Sequence, residues 1–110
     1  MLRQFSSLKK LDLSFNKIYK LDNLESLKDL RDLNLSYNLI EIIENLGKLP
    51  NLRNVSLDHN KIKKLENLKQ CRKLEILSVR GNLLEDLHFH GPAPEPLLEL
   101  RELHAGRNKI

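Results

Sequence analysis

The chain contains no tryptophan and a single cysteine, and aromatic residues make up only 5% of its 110 positions. One cysteine excludes an internal disulfide bond. The scarcity of rings leaves aliphatic side chains to fill the core. No stretch approaches the roughly 18 apolar residues that a membrane-spanning helix needs. The first residues also lack the apolar segment of a signal peptide, so we expect a cytoplasmic location, with the nucleus as the alternative.

Charge is moderately positive, with 19 Lys and Arg against 15 Asp and Glu and a formal net charge of +4. The two signs alternate along the chain, which is typical of a solvated surface. A dedicated nucleic-acid binder usually concentrates its cations on one face. Nucleic acid is therefore not the expected partner.

One apolar frame recurs five times. It reads LKKLDLSFNKI from Leu8, LRDLNLSYNLI from Leu30, LRNVSLDHNKI from Leu52, LEILSVRGNLL from Leu74 and LRELHAGRNKI from Leu100. The asparagines of successive frames are 22, 22, 22 and 26 residues apart. Such a period predicts a solenoid of stacked repeats. We expect one domain over 1–110, made of a partial repeat 1–7, repeats 8–29, 30–51, 52–73 and 74–99, and a truncated repeat 100–110.

Two apolar spacings occur within each repeat. Leu11 and Leu13 illustrate the first, a period of two that predicts a strand with one buried face. After the asparagine, apolar residues follow every third position, which favours short 3₁₀ turns over a sustained α-helix. Cys71 occupies one of these positions, so we predict a small buried hydrophobe rather than a reactive thiol.

The asparagine of each frame stands where the chain must turn out of the strand. A side-chain amide both donates and accepts hydrogen bonds, so it can satisfy backbone groups that the turn buries. Stacking of the repeats predicts a structural ladder of five asparagines: Asn16, Asn38, Asn60, Asn82 and Asn108.

The repeated pattern LxxLxLxxNxIxxIxxLxxLxx resembles the 22-residue class of leucine-rich repeats over almost the whole chain. That class includes the nuclear regulatory subunit of protein phosphatase 1, the axonemal outer-arm dynein light chain, and centrosomal and ciliary scaffolds. The resemblance implies an α/β fold: a right-handed solenoid with a parallel sheet on its concave face and 3₁₀ or other short turns on its convex face. It also implies a protein-binding module without a cofactor or metal.

Cellular location and completeness follow from the same resemblance. Extracellular members usually carry cysteine-bonded caps, which this sequence lacks, so the expected setting includes the cytoskeleton, cilium or centrosome. The last frame stops at Ile110, and Leu2 and Phe5 fit the end of a repeat whose strand is missing. Solenoids need polar caps. We therefore expect an uncapped fragment whose flanking repeats lie elsewhere in a longer protein.

The concave strands are the predicted partner-binding face. Outward residues of neighbouring repeats align in columns about 4.8 Å apart. One column predicts an aromatic ladder of Phe15, Tyr37 and His59, and aromatic anchors are frequent at interface hot spots. The whole candidate face comprises Lys10, Asp12, Phe15, Asp32, Asn34, Tyr37, Asn54, Ser56, Asp58, His59, Ile76, Arg80 and Arg107.

Two further surfaces are weaker candidates. Gly81 and Gly106 predict a hollow for a carboxylate or phosphate beside three arginines. A basic limb predicts contact with nucleic acid or with an acidic tail such as that of tubulin, if its cations do more than aid solubility. The arginines are Arg80, Arg101 and Arg107, and the limb comprises Lys61, Lys63, Lys64, Lys69, Arg72 and Lys73.

The fourth repeat is longer than the others. Its segment 88–96, HFHGPAPEP, predicts a bulging loop because three prolines and a glycine cannot continue regular structure. His88 and His90 alone, without cysteine or carboxylate ligands at the usual spacing, are a weak metal signal.

Three functions remain open. The first is a protein-interaction scaffold of the ciliary, centrosomal or dynein-associated type. The second is a regulatory subunit of protein phosphatase 1, and the third is a structural spacer with no partner on this segment. An enzyme is not expected, because the sequence contains no recognisable catalytic triad, phosphate loop or zinc motif.

Overall fold

The structure is a computed structural model that describes residues 7–90 and 99–110. Short strands separated by turns dominate it, and the helix assigned within these ranges is a 3₁₀ turn at Leu46–Lys48. The strands are β1 Lys10–Asp12, β2 Asp32–Asn34, β3 Asn54–Ser56, β4 Leu65–Glu66, β5 Ile76–Ser78, β6 Phe89–His90 and β7 Glu102–His104.

Five strands form one parallel sheet in the order β1-β2-β3-β5-β7. Leu11 pairs with Leu33, Leu33 with Val55, Val55 with Leu77, and Leu77 with Leu103. Each central strand residue therefore lies beside its counterpart in the next repeat. The predicted parallel-sheet solenoid is confirmed, with little helix.

The core is aliphatic, as the composition predicts. Every fully buried hydrophobic residue in the described ranges is Leu, Ile, Val or the single Cys71. The middle repeats hold the most buried strand residues, whereas Leu11 and Leu103 in the first and last strands are only partly buried. Each turn of the solenoid thus adds one leucine-rich layer to a continuous core.

On the side opposite the sheet, the predicted spacing of three appears as i to i−3 hydrogen bonds. The N–H of Leu27 donates to Leu24 O at 3.0 Å, and that of Leu49 donates to Leu46 O at 3.1 Å. Cys71 makes the same bond to Leu68 O at 3.0 Å. Burial raises the pKa of the Cys71 thiol to about 11. This cysteine is therefore a protonated core residue at neutral pH.

The fourth repeat departs from the predicted loop. Phe89 and His90, placed in that loop by the sequence, form β6, which pairs parallel with β4 through Leu65 and Phe89. Phe89 packs against the core while Leu87 is exposed. The offset is 24 residues instead of 22, because two extra residues bulge before the strand. Asp86 Oδ1 accepts the His88 N–H at 3.0 Å and closes this bulge.

Some predictions concern segments outside the described residues. The remainder of the predicted loop, 91–96, and the core positions assigned to Leu2 and Phe5 lie there. Over 7–90 and 99–110, no helix is long and apolar enough to cross a membrane.

Candidate protein-binding surface

A column of asparagines fixes the turns that follow the sheet. Asn60 Nδ2 donates to the carbonyls of Leu35 and Leu57 at 3.0 Å and of Asp58 at 3.2 Å. Its Oδ1 accepts the N–H of Ile40 at 3.0 Å. The amide therefore ties its own turn to the preceding repeat. Asn38, Asn82 and Asn108 make the corresponding bonds.

Asn16 differs from the others because it is exposed. Its Nδ2 donates to Leu13 O at 2.9 Å and Ser14 O at 3.1 Å, both within its own turn. All five predicted asparagines therefore lie in one column, and the first of them has the fewest bonds of the set in the described structure.

The residue before each of these asparagines has a left-handed backbone. Its φ is 56° at Phe15, 58° at Tyr37, 54° at His59, 67° at Gly81 and 56° at Arg107. Bulky side chains rarely adopt positive φ. The hydrogen-bonded asparagine turn holds them there, so successive side chains project from the same edge of the solenoid.

Three of these side chains form a stack, which we name the aromatic column: Phe15, Tyr37 and His59. The Phe15 and Tyr37 ring centroids are 4.4 Å apart with planes 8° from parallel. Those of Tyr37 and His59 are also 4.4 Å apart, at 19°. Phe15 is 73% exposed and Tyr37 46%. The sequence-predicted ladder is thus a packed stack that leaves large apolar surfaces in water.

The aromatic column ends over Gly81. A Cβ added at Gly81 would lie 2.5 Å from His59 Nδ1, so the ring fills the space that a side chain would occupy. The predicted hollow between the two glycines is therefore wrong at Gly81. Around Gly106, no heavy atom of the described residues, apart from its own chain neighbours, lies within 4 Å of an added Cβ.

Arg80 is engaged by its neighbours on the sheet. Its Nη2 donates to His104 Nδ1 at 2.9 Å, and His104 Nε2 hydrogen-bonds Glu102 Oε1 at 3.0 Å. The Arg80 guanidinium is therefore already hydrogen-bonded and is not an unpaired donor for the predicted anion site. The sequence missed this network because its members stand in three different columns of adjacent repeats.

Other polar groups on the sheet also bind one another. Lys10 Nζ lies 4.0 Å from Asp32 Oδ2, and Asn54 Nδ2 donates to Asp32 Oδ1. Ser78 Oγ donates to Asp58 Oδ1 at 2.6 Å. An open groove crosses these strands from β1 to β5. Seven of the thirteen candidate concave residues line this groove, and several of their polar groups are already paired. The seven are Lys10, Asp12, Asp32, Asn34, Asn54, Ser56 and Ile76.

Serine hydroxyls on this face form hydrogen bonds with a carboxylate and with each other. The hydroxyl and N–H of Ser14 donate to Asp12 Oδ1, and both bonds lower the pKa of the Asp12 carboxyl. Ser36 is buried, with its hydroxyl 2.6 Å from that of Ser56. The shared hydrogen bond satisfies both hydroxyls and permits this burial.

The predicted basic limb divides into two groups. Lys61, Lys63 and Lys64 follow the turn of Asn60, whereas the other three cations follow β4. In the second group, Lys73 Nζ donates to Asn51 Oδ1 at 3.2 Å. The first group lies nearer the aromatic column.

A second asparagine column was not predicted. Asn23, Asn45 and Asn67 have φ of 59°, 65° and 58°. Asn45 Nδ2 donates to Leu21 O, and Asn67 Nδ2 donates to Ile43 O at 2.7 Å. Their spacing of 22 was the available signal. This column fixes the turns on the side opposite the sheet.

A parallel sheet, leucine-filled turns and an asparagine column define a solenoid of leucine-rich repeats. The chain belongs to the leucine-rich repeat family. A family model described as leucine-rich repeat matches residues 6–62, and one for two copies of leucine-rich repeats matches residues 50–92. Proteins of this family generally mediate protein–protein interaction. No curated protein matches the chain.

Solved structures with the same fold include proteins from a bacterium and a plant. Internalin C2 from Listeria monocytogenes is 29% identical with a TM-score of 0.81, covering 99% of this chain and 46% of its own. The leucine-rich repeat ectodomain of the receptor kinase SOBIR1 from Arabidopsis thaliana is 31% identical with a TM-score of 0.67, covering 98% and 61%. The chain therefore spans about half of the first relative and less than two thirds of the second.

The functional domain of InlJ from Listeria monocytogenes, which includes a cysteine ladder, shares the fold at 22% identity and a TM-score of 0.73, covering 97% of this chain and 22% of its own. These relatives are internalins and a receptor kinase ectodomain. None is a ciliary or centrosomal scaffold.

Proposed function

We propose that this chain is a non-catalytic protein-binding module whose partner docks on the aromatic column and the adjacent strand groove. The observation that carries the proposal is the exposure of Phe15 and Tyr37 in a fixed stack beside polar strands. A soluble protein gains nothing in stability by leaving such rings in water, so their exposure favours a contact role.

Rigidity of the aromatic column supports tight binding. Each ring rests on its neighbour, and the backbone beneath is held by Phe15 N to Ser36 O at 3.0 Å and Tyr37 N to Asp58 O at 2.9 Å. Side chains that are already ordered lose little conformational entropy when a partner binds. The column is therefore preorganised for a protein contact.

The class of partner and the location are finer proposals. The 22-residue frame supports a cytoplasmic scaffold that binds a tubulin, dynein or centrosomal protein. The stacked rings beside Asp12, Asp32 and Asp58 support a phosphatase 1 regulatory subunit as the second candidate, although Lys10 and Arg80 interrupt the acidic row. A spacer remains the third.

Affinity capture from a ciliated-cell lysate, followed by mass spectrometry, tests the proposal. The test protein is the triple variant Phe15→Ala, Tyr37→Ala, His59→Ala. The matched control is Lys9→Ala, Arg31→Ala, Arg53→Ala, three exposed residues that precede β1, β2 and β3 at the opposite edge of the sheet. Circular dichroism and thermal melting establish that both variants fold.

We expect the column variant to lose the partners that the control retains at high salt. Cytoskeletal proteins among those partners favour the first candidate, and phosphatase 1 favours the second. Retention of every partner by the column variant contradicts the proposed surface. If all partners wash off with salt, the segment is a spacer.

A further inference from the structure

Exposed large hydrophobic residues are concentrated on one edge of the solenoid. Five of the seven found in the described ranges lie between positions 15 and 42, in the turns that follow β1 and β2. The two outside this group are Leu87 and Ile110. The five are Phe15, Tyr19, Tyr37, Leu39 and Ile42.

Backbone hydrogen bonds place lysines beside these apolar residues. Leu39 N donates to Ile18 O at 2.7 Å, and Lys61 N donates to Ile40 O at 2.8 Å. Parallel pairing therefore aligns Lys17, Leu39 and Lys61 side by side, about 4.8 Å apart. In the same register, Lys20 and Lys64 flank Ile42 in the neighbouring repeats.

These lysines are not neutralised. We name the turn-edge surface as the five apolar residues above together with five exposed lysines. Among the residues that the structure describes, no ammonium of this set has a carboxylate within 4.0 Å, whereas Lys10 on the sheet does. In the aligned segments 17–20, 39–42 and 61–64, the only acidic residue is Glu41. The five lysines are Lys17, Lys20, Lys61, Lys63 and Lys64.

We propose that the turn-edge surface binds an acidic protein segment that carries apolar side chains. The unpaired lysines supply charge complementarity, and the exposed rings and aliphatic groups between them supply anchoring sites. This inference rests on the proposed protein-binding function. It extends that surface from the aromatic column past the asparagine turn and names the chemistry of the partner.

The stacking geometry disfavours nucleic acid as the occupant. Single-stranded nucleic acid binds by laying its bases on aromatic faces. Here the faces of Tyr37 are covered by Phe15 and His59 at centroid distances of 4.4 Å. The column presents ring edges to solvent, apart from the outer face of Phe15. Edges and aliphatic groups suit apolar side chains better than bases.

Selection from a random peptide library displayed on phage tests this inference, with the 110-residue chain as bait. The enriched sequence is synthesised with a fluorescent label and titrated by anisotropy. The test variant is Lys61→Glu, Lys63→Glu, Lys64→Glu. The control variant, Lys9→Glu, Arg31→Glu, Arg53→Glu, makes the same change in charge at the opposite edge of the sheet. Leu39→Ser tests the apolar contribution, and labelled oligothymidine tests nucleic acid.

We expect acidic peptides with regularly placed apolar residues. Their affinity should fall at least about tenfold with the turn-edge reversal, fall with Leu39→Ser, and change much less with the control. Enriched peptides that lack an acidic bias overturn the inference, as does oligothymidine binding tighter than the peptide.

The outcomes also separate this inference from the proposed function. Peptides that lose binding with Phe15→Ala, Tyr37→Ala, His59→Ala but not with the turn-edge reversal leave the proposed function standing and contradict the acidic partner. If the library yields no sequence that binds the wild-type chain, the acidic-segment inference is wrong, and the affinity capture described above decides the proposed function on its own.

Discussion

Asn60 and Asn16 occupy the same position in two repeats but have different surroundings. Asn60 is buried and donates three hydrogen bonds, whereas Asn16 is exposed and donates two within its own turn. The cost of removing a hydrogen-bonding group depends on whether its partners are then left buried without a bond. The same substitution should therefore have different effects at these two positions.

We predict that Asn60→Ala lowers the free energy of unfolding by roughly 1–3 kcal/mol, because buried carbonyls of two repeats lose their donor. Asn16→Ala, the matched control, should cost about 1 kcal/mol or less, since water can replace its bonds. Urea denaturation of the three proteins measures the difference. Equal midpoints for Asn60→Ala and the wild type would show that the column does not stabilise the fold.

The two glycines of the last repeats provide a second matched pair. Gly81→Ala places a Cβ against the His59 ring and requires positive φ, so we predict a loss of about 1–2 kcal/mol. Gly106→Ala enters open space and should be nearly neutral. Thermal melts give the stabilities, and the NMR shifts of the His59 ring report the stack. A neutral Gly81→Ala with unchanged His59 shifts contradicts the described contact.

Cys71 makes stability depend on alkaline pH. Its folded pKa of about 11 lies above the usual value of 9.0. Between these values the unfolded chain releases the thiol proton while the folded chain keeps it, so stability falls as pH rises. We predict a steeper fall for the wild type than for Cys71→Val, measured by urea denaturation below pH 9 and near pH 11. Parallel slopes for the two proteins contradict this.

At the scale of elements, the strands of the five-stranded sheet could be predicted, whereas the later part of the fourth repeat, which contains β6, could not. A period of two places Leu33, Val55 and Leu77 inward, and a period of 22 aligns them, so β2, β3 and β5 follow from pattern alone. In the fourth repeat, two extra residues shift Phe89 into the inward position. Either Leu87 or Phe89 could pack inward by pattern alone. Tertiary contacts decide between them, and the sequence period gives no information about those contacts.

The candidate site, too, could be predicted only in part. Alignment of Phe15, Tyr37 and His59 follows from their spacing, because equal periods bring equal positions together. Their ring stacking and the burial of Ser36 do not follow, since they depend on backbone φ and on a hydroxyl pair across repeats. The filled space at Gly81 likewise depends on where the His59 ring points.

Leu57 in the core and Leu39 on the turn edge are leucines that we expect to have different roles, one in stability and one in binding. Leu57 is fully buried behind β3, so Leu57→Ala should cost about 2–5 kcal/mol. Leu39 is exposed on the turn edge, so Leu39→Ala should change stability by about 0.5 kcal/mol or less. Chemical denaturation measures both. A large loss for Leu39→Ala would mean that this residue supports the fold and not only the surface.

At the scale of the whole molecule, polar groups are distributed unevenly. On the sheet, Asp32, Asp58 and Arg80 are paired with neighbours. On the turn edge, lysines that pair with no carboxylate of the described residues lie beside exposed rings. The polar groups of the sheet face are therefore mostly paired with one another, whereas the cations of the adjoining turn edge are not paired with carboxylates of the described residues. That contrast is why we place the partner across the aromatic column and not on the strand groove alone.

Hydrogen–deuterium exchange of the chain, free and bound to the partner recovered by affinity capture, tests this placement most directly. The prediction is that binding protects segments 14–20, 36–42 and 58–64, which contain the aromatic column and the turn-edge surface. Protection confined to segments 21–30, 43–52 and 65–74, on the side opposite the sheet, would contradict it.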